Sequence, residues 1–239
     1  MDLFYAPPEA ISGDVLTLVG DERHHAVTVL RKKAGDTLYA IDGEGTCYTA
    51  RILEISKSTL KARIEAKEYE PEPLTHITIA ISLTKTSDRF ENFLEKATEL
   101  GVSEIIPMLT ARTVSRPRED QRQSKLERWR KIVLAAAKQS QRYRLPKLHP
   151  ITTFEAVLRR NDELRVLPYE FSRKKIALSF VGKRVLFVIG SEGGFTPEEV
   201  EAALQAGFEE ISLGRTILRV DTAGIFVAAM VRAEELRQA

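Results

Sequence analysis

With 239 residues the chain is long enough to bury a sizeable core, in one or two domains. Hydrophobic residues at 43% and charged residues at 29% exclude a disordered chain, and the net charge of +2 says little because 36 basic and 34 acidic residues nearly cancel. Cys47 is the sole cysteine, which excludes an intrachain disulfide and suits a reducing interior. No basic-then-apolar leader opens the sequence and no apolar run reaches membrane-spanning length, so the expectation is a cytoplasmic protein with no membrane contact.

The first part reads as β. Asp14–Val19, Thr37–Asp42, Thr46–Ile55 and Thr59–Tyr69 are short segments rich in β-branched and aromatic residues. The tetrapeptide DGEG at Asp42–Gly45 predicts a hairpin turn between the second and third. One helix is predicted over Asp21–Asp36, with Arg31, Lys32 and Lys33 at its end. Short strands with a single helix suggest a small barrel over residues 1–72, and the proline-bearing EPEPLTH (Glu70–His76) is the best linker candidate.

Strands and helices then alternate over residues 73–239. Strands are predicted at His76–Leu83, Val102–Leu109, Leu164–Tyr169, Arg184–Gly190 and Glu209–Gly214. Helices are predicted at Asp88–Leu100, Ser124–Arg142 and Gly224–Leu236. In the first helix Phe90, Phe93, Leu94, Ala97 and Leu100 share a face, Asp88 and Glu91 read as a capping box, and Gly101 is placed to end it. This alternation predicts an α/β domain with a mainly parallel sheet and helices on both faces.

Two glycine turns stand out in that domain. In IGSEGGFTPEE, Gly193 and Gly194 lie between a buried strand and a helix start marked by Thr196, Pro197 and Glu199. In ISLGRTILRVDTAG, Gly214 repeats the pattern. The glycines could serve turn geometry alone, but two such turns at the ends of adjacent strands could also line one ligand pocket. The spacing fits neither G-x-G-x-x-G nor a P-loop, and Glu192 inside the first turn would repel a phosphate. A neutral or cationic ligand suits it better. His24, His25, His76 and His149 are scattered, so no metal site is predicted.

Between Ala111 and Lys147 about a dozen Lys and Arg stand against about three acids. Such a run could be a solvated face; together with Arg31–Lys33 it favours a polyanion that reaches both domains. The segment KQSQRYRLP (Lys138–Pro146) offers side chains able to bond or stack with an unpaired base.

Read together, IGSEGGFTPEE, LGRTILRVDTA, KATELGV, KQSQRYRLP and HHAVTVLRKKAGD resemble the RsmE family, the 16S rRNA uridine-N3 methyltransferases of the SPOUT superfamily. The resemblance covers nearly the whole chain. It implies a PUA-like β-barrel RNA-binding domain (1–72) followed by a SPOUT α/β domain tied in a trefoil knot (73–239). It also implies a homodimer that uses S-adenosyl-L-methionine and acts on 16S rRNA or the small ribosomal subunit. Carried over, the cofactor contacts fall on Leu167, Pro168, Ile189, Gly190, Gly194, Leu213, Gly214, Ile217 and Leu218. Arg219 is the candidate stabiliser of charge on the uracil ring, and Glu192 or Asp221 the candidate for proton removal. Arg31, Lys96, Arg142 and Arg144 are the candidate RNA contacts. Ser191 stands where the family usually has proline, Val220–Asp221 where it has Thr–Glu, and Leu3 where it has arginine. Two readings stay open beside this one: a SPOUT enzyme acting on another base or position, and a non-catalytic RNA-binding assembly protein.

Overall fold

The computed structural model describes residues 2–174 and 177–238 and divides the chain into two compact units, Met1–Glu72 with Leu134–Leu145 and Pro73–Val133 with Pro146–Ala239. The first unit holds β1 (Leu3–Tyr5), β2 (Ile11–Ser12), β3 (Val15–Val19), α1 (Gly20–His24), β4 (Thr37–Ile41), β5 (Thr46–Ile55) and β6 (Thr59–Tyr69). Its six strands form one sheet in the order β1-β4-β5-β6-β3-β2, antiparallel except for β1 beside β4. Strand alternation puts Leu16, Leu18, Leu38, Ile52 and Leu60 in the core together with Ala40, Ala50 and Ala62. Large faces small across the ladder, Leu38 opposite Ala50 and Ile52 opposite Ala62.

The DGEG hairpin forms as the sequence indicates. Asp42, 6% exposed, accepts the backbone N–H groups of Glu44 (2.8 Å) and Thr46 (3.0 Å) on one carboxylate oxygen. The helix predicted over Asp21–Asp36 is much shorter. α1 ends at His24, one π-helical turn follows at His25–Val29, and Arg31 adopts a left-handed φ of 55°. Val27, Thr28 and Val29 are stiff, β-branched residues that add little helix propensity, so the element ends before Arg31–Lys33.

The second unit opens with β7 (His76–Ser82), α2 (Ser87–Glu99), β8 (Glu104–Leu109) and α3 (Glu119–Gln139), the last of which runs beyond this unit's Val133 boundary. It continues with β9 (Lys147–Leu148), β10 (Thr152–Thr153), α4 (Phe154–Leu158), β11 (Leu164–Pro168), β12 (Arg184–Ile189), α5 (Pro197–Gln205), β13 (Glu209–Ile211) and α6 (Val220–Gln238). All seven strands pair in parallel, in the order β10-β8-β7-β12-β11-β13 with β9 also on β8. Alternate residues of the buried strands face different helices. Ala80 shares a cluster with Phe154 of α4 and Val200 of α5, whereas the Ile81 side chain reaches Gly224 of α6. A Cβ on Gly224 would lie 2.6 Å from the Phe93 ring of α2, so glycine lets α6 close on that face.

α2 buries Phe90, Phe93, Leu94 and Ala97 as its periodicity requires, and Gly101 follows it with φ 84°. The capping box read from Asp88 and Glu91 does not form. The N-cap is Thr86, without a side-chain cap bond, and Glu91 instead takes an ion pair from Arg128 at 2.8 Å. α3 begins five residues before the predicted Ser124, with Glu119 and Asp120 in its first turn, where the helix dipole favours acids. It stops at Gln139 because Gln141 turns to φ 60°.

Candidate active site

The two glycine turns do not follow neighbouring strands: β11 lies between β12 and β13. That corrects the expected adjacency and explains why three loops meet. The carboxyl ends of β11, β12 and β13 lie side by side, which is where ligands bind in parallel α/β sheets. The loops after them enclose a cavity of about 260 Å³, just under the usual ~300–1,000 Å³ of small-molecule pockets.

From β11 come Pro168, Tyr169 and Glu170; from the β12 turn Ile189, Gly190, Ser191, Glu192, Gly194 and Phe195; from the β13 loop Leu213 through Arg219. Val220 and Ala223 of α6 complete the lining. The walls are therefore mostly apolar, with four charged side chains (Glu170, Glu192, Arg215 and Arg219) among them. Of the nine residues carried over as cofactor contacts, eight lie in this wall. Leu167 does not: it is fully buried and packs in the core cluster with Phe195 and Leu186.

The β12 turn is held from several sides. Gly194 N–H donates to the Ser191 carbonyl at 2.9 Å, and Gly194 has φ 69°, a conformation that a side chain resists. A Cβ there would also overlap the Glu170 carboxylate. The following helix carries the capping box read from the sequence: Thr196 Oγ1 accepts Glu199 N–H at 3.2 Å, and Glu199 Oε2 accepts Thr196 N–H at 2.9 Å. Glu199 Oε1 also accepts the Ala111 N–H at 2.7 Å.

Next to Ala111, Arg112 donates through one guanidinium nitrogen to the Gly193 carbonyl (2.7 Å) and the Phe195 carbonyl (3.1 Å). Its stem lies 3.2 Å from where a Gly193 Cβ would sit. A side chain at Gly193 is thus opposed by the close approach of an arginine and not by its own backbone angles. Sequence reasoning placed Arg112 only within a basic run; nothing in that run marked it as the brace of a turn some eighty residues on. Tyr169, Glu170, Phe195 and Ala223 were missed for the same reason, since only the fold brings them to the cavity.

Arg219 lies in the wall and is exposed, and its carbonyl accepts the Ala223 N–H at 2.8 Å as α6 begins. A cation at the positive end of a helix is unfavourable by ~0.3–1 kcal/mol, so its position is not one that helix stability selects. Glu192 is also in the wall, and its Oε1 accepts the Lys85 N–H at 2.7 Å. Asp221 sits in the first turn of α6 outside the lining, and its Oδ1 is buried with no hydrogen-bond partner. A mostly apolar slot with a few charged side chains in its wall fits a small organic ligand.

The candidate RNA contacts separate into distinct environments. Arg31 is exposed, while Lys96 on α2 pairs with Glu95 (2.7 Å) and Glu99 (2.9 Å). Arg142 follows the end of α3, its N–H bonded to the Ala137 carbonyl at 2.9 Å. Arg144 has a side chain only 14% exposed and is fully committed within the first unit. It bonds the Glu70 and Pro71 carbonyls, the Tyr69 hydroxyl (2.6 Å) and Glu72 (2.8 Å), and its guanidinium lies over the Tyr69 ring. These contacts fix its guanidinium within the first unit.

Far along the sheet, at its amino end, a second polar cluster surrounds Glu104. This carboxylate meets His149 at 2.7 Å, Arg160 at 3.4 Å and His76 at 3.6 Å. The His149 hydrogen bond, assisted by Arg160 and opposed by burial, holds the Glu104 carboxyl down at about 2. Burial pushes His76 below the usual histidine range. Among the described residues no group of three or more His, Cys, Asp or Glu side chains could hold a metal ion, and no helix is long and apolar enough to cross a membrane.

The RNA methyltransferase domain model matches residues 70–232, and the RNA methyltransferase PUA domain model matches residues 18–65. Ribosomal RNA small subunit methyltransferase E of Synechocystis is 32% identical over 234 residues, covering 95% of this chain and 75% of that protein. The Bacillus subtilis protein of the same name is 31% identical, with coverages of 90% and 88%. Ribosomal RNA small subunit methyltransferase E from Neisseria gonorrhoeae, solved bound to S-adenosyl methionine, superposes with a TM-score of 0.87 at 28% identity over 98% of this chain and 97% of that one. A probable rRNA-methyltransferase from Porphyromonas gingivalis gives 0.84 at 32% identity over the whole of both chains. These matches, spanning both units and the three loops of the cavity, show that the chain belongs to the ribosomal RNA small subunit methyltransferase E family.

Proposed function

We propose that this protein methylates N3 of a uridine in 16S rRNA of the small ribosomal subunit, using S-adenosylmethionine held in the cavity at the ends of β11, β12 and β13. The methyltransferase character and the cofactor follow from family membership. The observation that carries it is the convergence of three strand-end loops, two of them glycine-bearing, on one mostly apolar cavity with an arginine in its wall.

When bound, S-adenosylmethionine supplies a methyl group on a sulfonium centre. The chain's residues do the rest. Ile189, Phe195, Leu213, Ile217 and Leu218 offer the apolar walls, and the glycine turns let backbone groups approach closely. Uridine N3 lies on the pairing edge and carries a proton, so the base must be unpaired or turned out before it can react. Loss of that proton leaves charge shared with O2 and O4, which Arg219 stabilises from the wall. Glu192 lines the same cavity and has its second oxygen available as proton acceptor, which favours it over Asp221.

RNA binding is assigned to Arg31, Lys96, Arg142 and Arg144, with the first unit as the RNA-binding, PUA-like domain (residues 1–72) and residues 73–239 as the knotted SPOUT catalytic domain. Homodimerisation is supported by large apolar side chains left exposed near the cavity: Ile217 at 86%, Phe171 at 74% and Phe226 at 44%. The reducing cytoplasm, where ribosomes are assembled, is the proposed location. Small subunits lacking the modification are the test substrate, with labelled S-adenosylmethionine and nucleoside analysis of the product. Label in 3-methyluridine supports the proposal. Label in another nucleoside keeps the enzyme but rejects the position, and no label together with no cofactor binding rejects catalysis.

A further inference from the structure

Of the charged groups in the cavity wall, Glu170 is the least explained by the fold. Glu192 is tied to the Lys85 N–H, and Arg219 has a role in the proposed chemistry. Glu170 makes no hydrogen bond or ion pair among the described residues, although Arg215 and Arg219 line the same cavity. It lies two residues beyond the end of β11, so the strand fixes where its backbone emerges. Its carboxylate lies directly over the β12 turn, against Gly194, which must lack a side chain to admit it. An exposed carboxylate with no partner among the described residues, set in a mostly apolar wall, is placed to meet a cation.

We infer that Glu170 is the residue that distinguishes the methyl donor from its product, by facing the positive charge that methyl transfer removes. The inference rests on the proposed use of S-adenosylmethionine in this cavity. The donor carries a sulfonium cation. After transfer, the sulfur becomes a neutral thioether in S-adenosylhomocysteine, while the adenosine, carboxylate and α-ammonium groups are unchanged. An anion near the sulfur therefore favours the donor alone, and an anion near the ammonium would favour both ligands equally. The consequence is selective discharge: product leaves more readily than donor, and inhibition by accumulated product is weak.

The test is titration calorimetry of the full chain with S-adenosylmethionine and S-adenosylhomocysteine separately, for the wild type, Glu170→Gln and Glu170→Asp. A carboxylate and a sulfonium facing each other at a partly solvated site support a preference of roughly ten-fold. Glu170→Gln is therefore expected to weaken donor binding about ten-fold and to change product binding less than about two-fold. Glu170→Asp, which keeps the charge on a shorter stem, restores part of the preference. Equal losses for both ligands would place Glu170 at the ammonium or in turn support, and overturn the inference; so would no loss for either. A wild type that binds neither ligand would instead refute the cavity as a cofactor site, and the inference with it.

Discussion

Replacing Arg112 by alanine isolates the contribution of the turn from that of the cavity walls. The side chain touches the β12 turn through two bonds from one guanidinium nitrogen, 2.7 Å to Gly193 and 3.1 Å to Phe195. Hydrogen bonds from a charged donor contribute ~1.5–3 kcal/mol each when shielded. Arg112 is exposed and water competes for both carbonyls, so about 1–1.5 kcal/mol for the pair is the appropriate scale. That energy biases the turn toward the shape seen here; without it, part of the population leaves that shape and apparent cofactor affinity falls in proportion. Arg112→Ala should raise the dissociation constant for S-adenosylmethionine roughly two- to ten-fold, ten-fold being the ceiling that about 1–1.5 kcal/mol sets. It should lower the melting temperature by no more than about 2–5 °C, the shift that ~1–1.5 kcal/mol gives a chain of this size. Arg112→Lys keeps one point donor and should fall between the two. Calorimetric binding and a thermal melt on the same preparations give the answer. Unchanged affinity in Arg112→Ala, or a loss of affinity matched by a large loss of stability, would refute the argument.

Arg219→Ala should lower turnover by about 10²–10³ with cofactor affinity held within about two-fold, because its interaction is made only as charge develops on the base; near-normal turnover removes that role. Gly194→Ala combines left-handed backbone strain of ~1–2 kcal/mol with the overlap on Glu170. It should lower the melting temperature by roughly 2–6 °C and weaken cofactor binding as well, and a neutral outcome in both measurements would contradict the reading of the turn. The Glu104 cluster sets the acid side of the stability profile. Its carboxyl sits at about 2 in the fold, below its ordinary value, so its stabilisation is full above about 4.5 and is lost as pH falls toward 2. His76, depressed by burial, adds a loss that begins as pH drops below the ordinary histidine range. Glu104→Gln should flatten the carboxylate part of a denaturation series between pH 5 and pH 2, by ~3 kcal/mol at most. A profile of unchanged steepness would discount the cluster.

How far the residues alone carry the structure depends on how local each cause is. β5 and β6 match their predicted bounds because β-branched and aromatic residues fill them and turn residues close each end. The α5 start was readable for the same reason: its cap uses side chains within four residues of one another. The α2 start misled, since Glu91 is claimed by Arg128, an arginine on another helix. The end of α1 misled because a π-helical turn has no plain signature in composition. At the site, the glycine turns and the Leu213–Arg219 loop were legible as a pattern, and eight of the nine carried-over contacts reach the cavity wall. Leu167 shows the limit of such transfer: the strand ends in the pocket, but the alternation of side chains sends Leu167 into the core and Pro168 to the wall. Arg112, Glu170 and the burial of Arg144 depend on contacts across long stretches of chain, which no local pattern encodes.

The central claim is that the loops after β11, β12 and β13 hold the methyl donor, and a crystal structure of the protein soaked or grown with S-adenosylmethionine addresses it most directly. The account predicts the adenosine among Ile189, Phe195, Leu213, Ile217 and Leu218, and the sulfur within reach of Glu170 and facing Arg219. Density for the cofactor elsewhere, or this cavity closed to it at saturating concentration, would contradict the account.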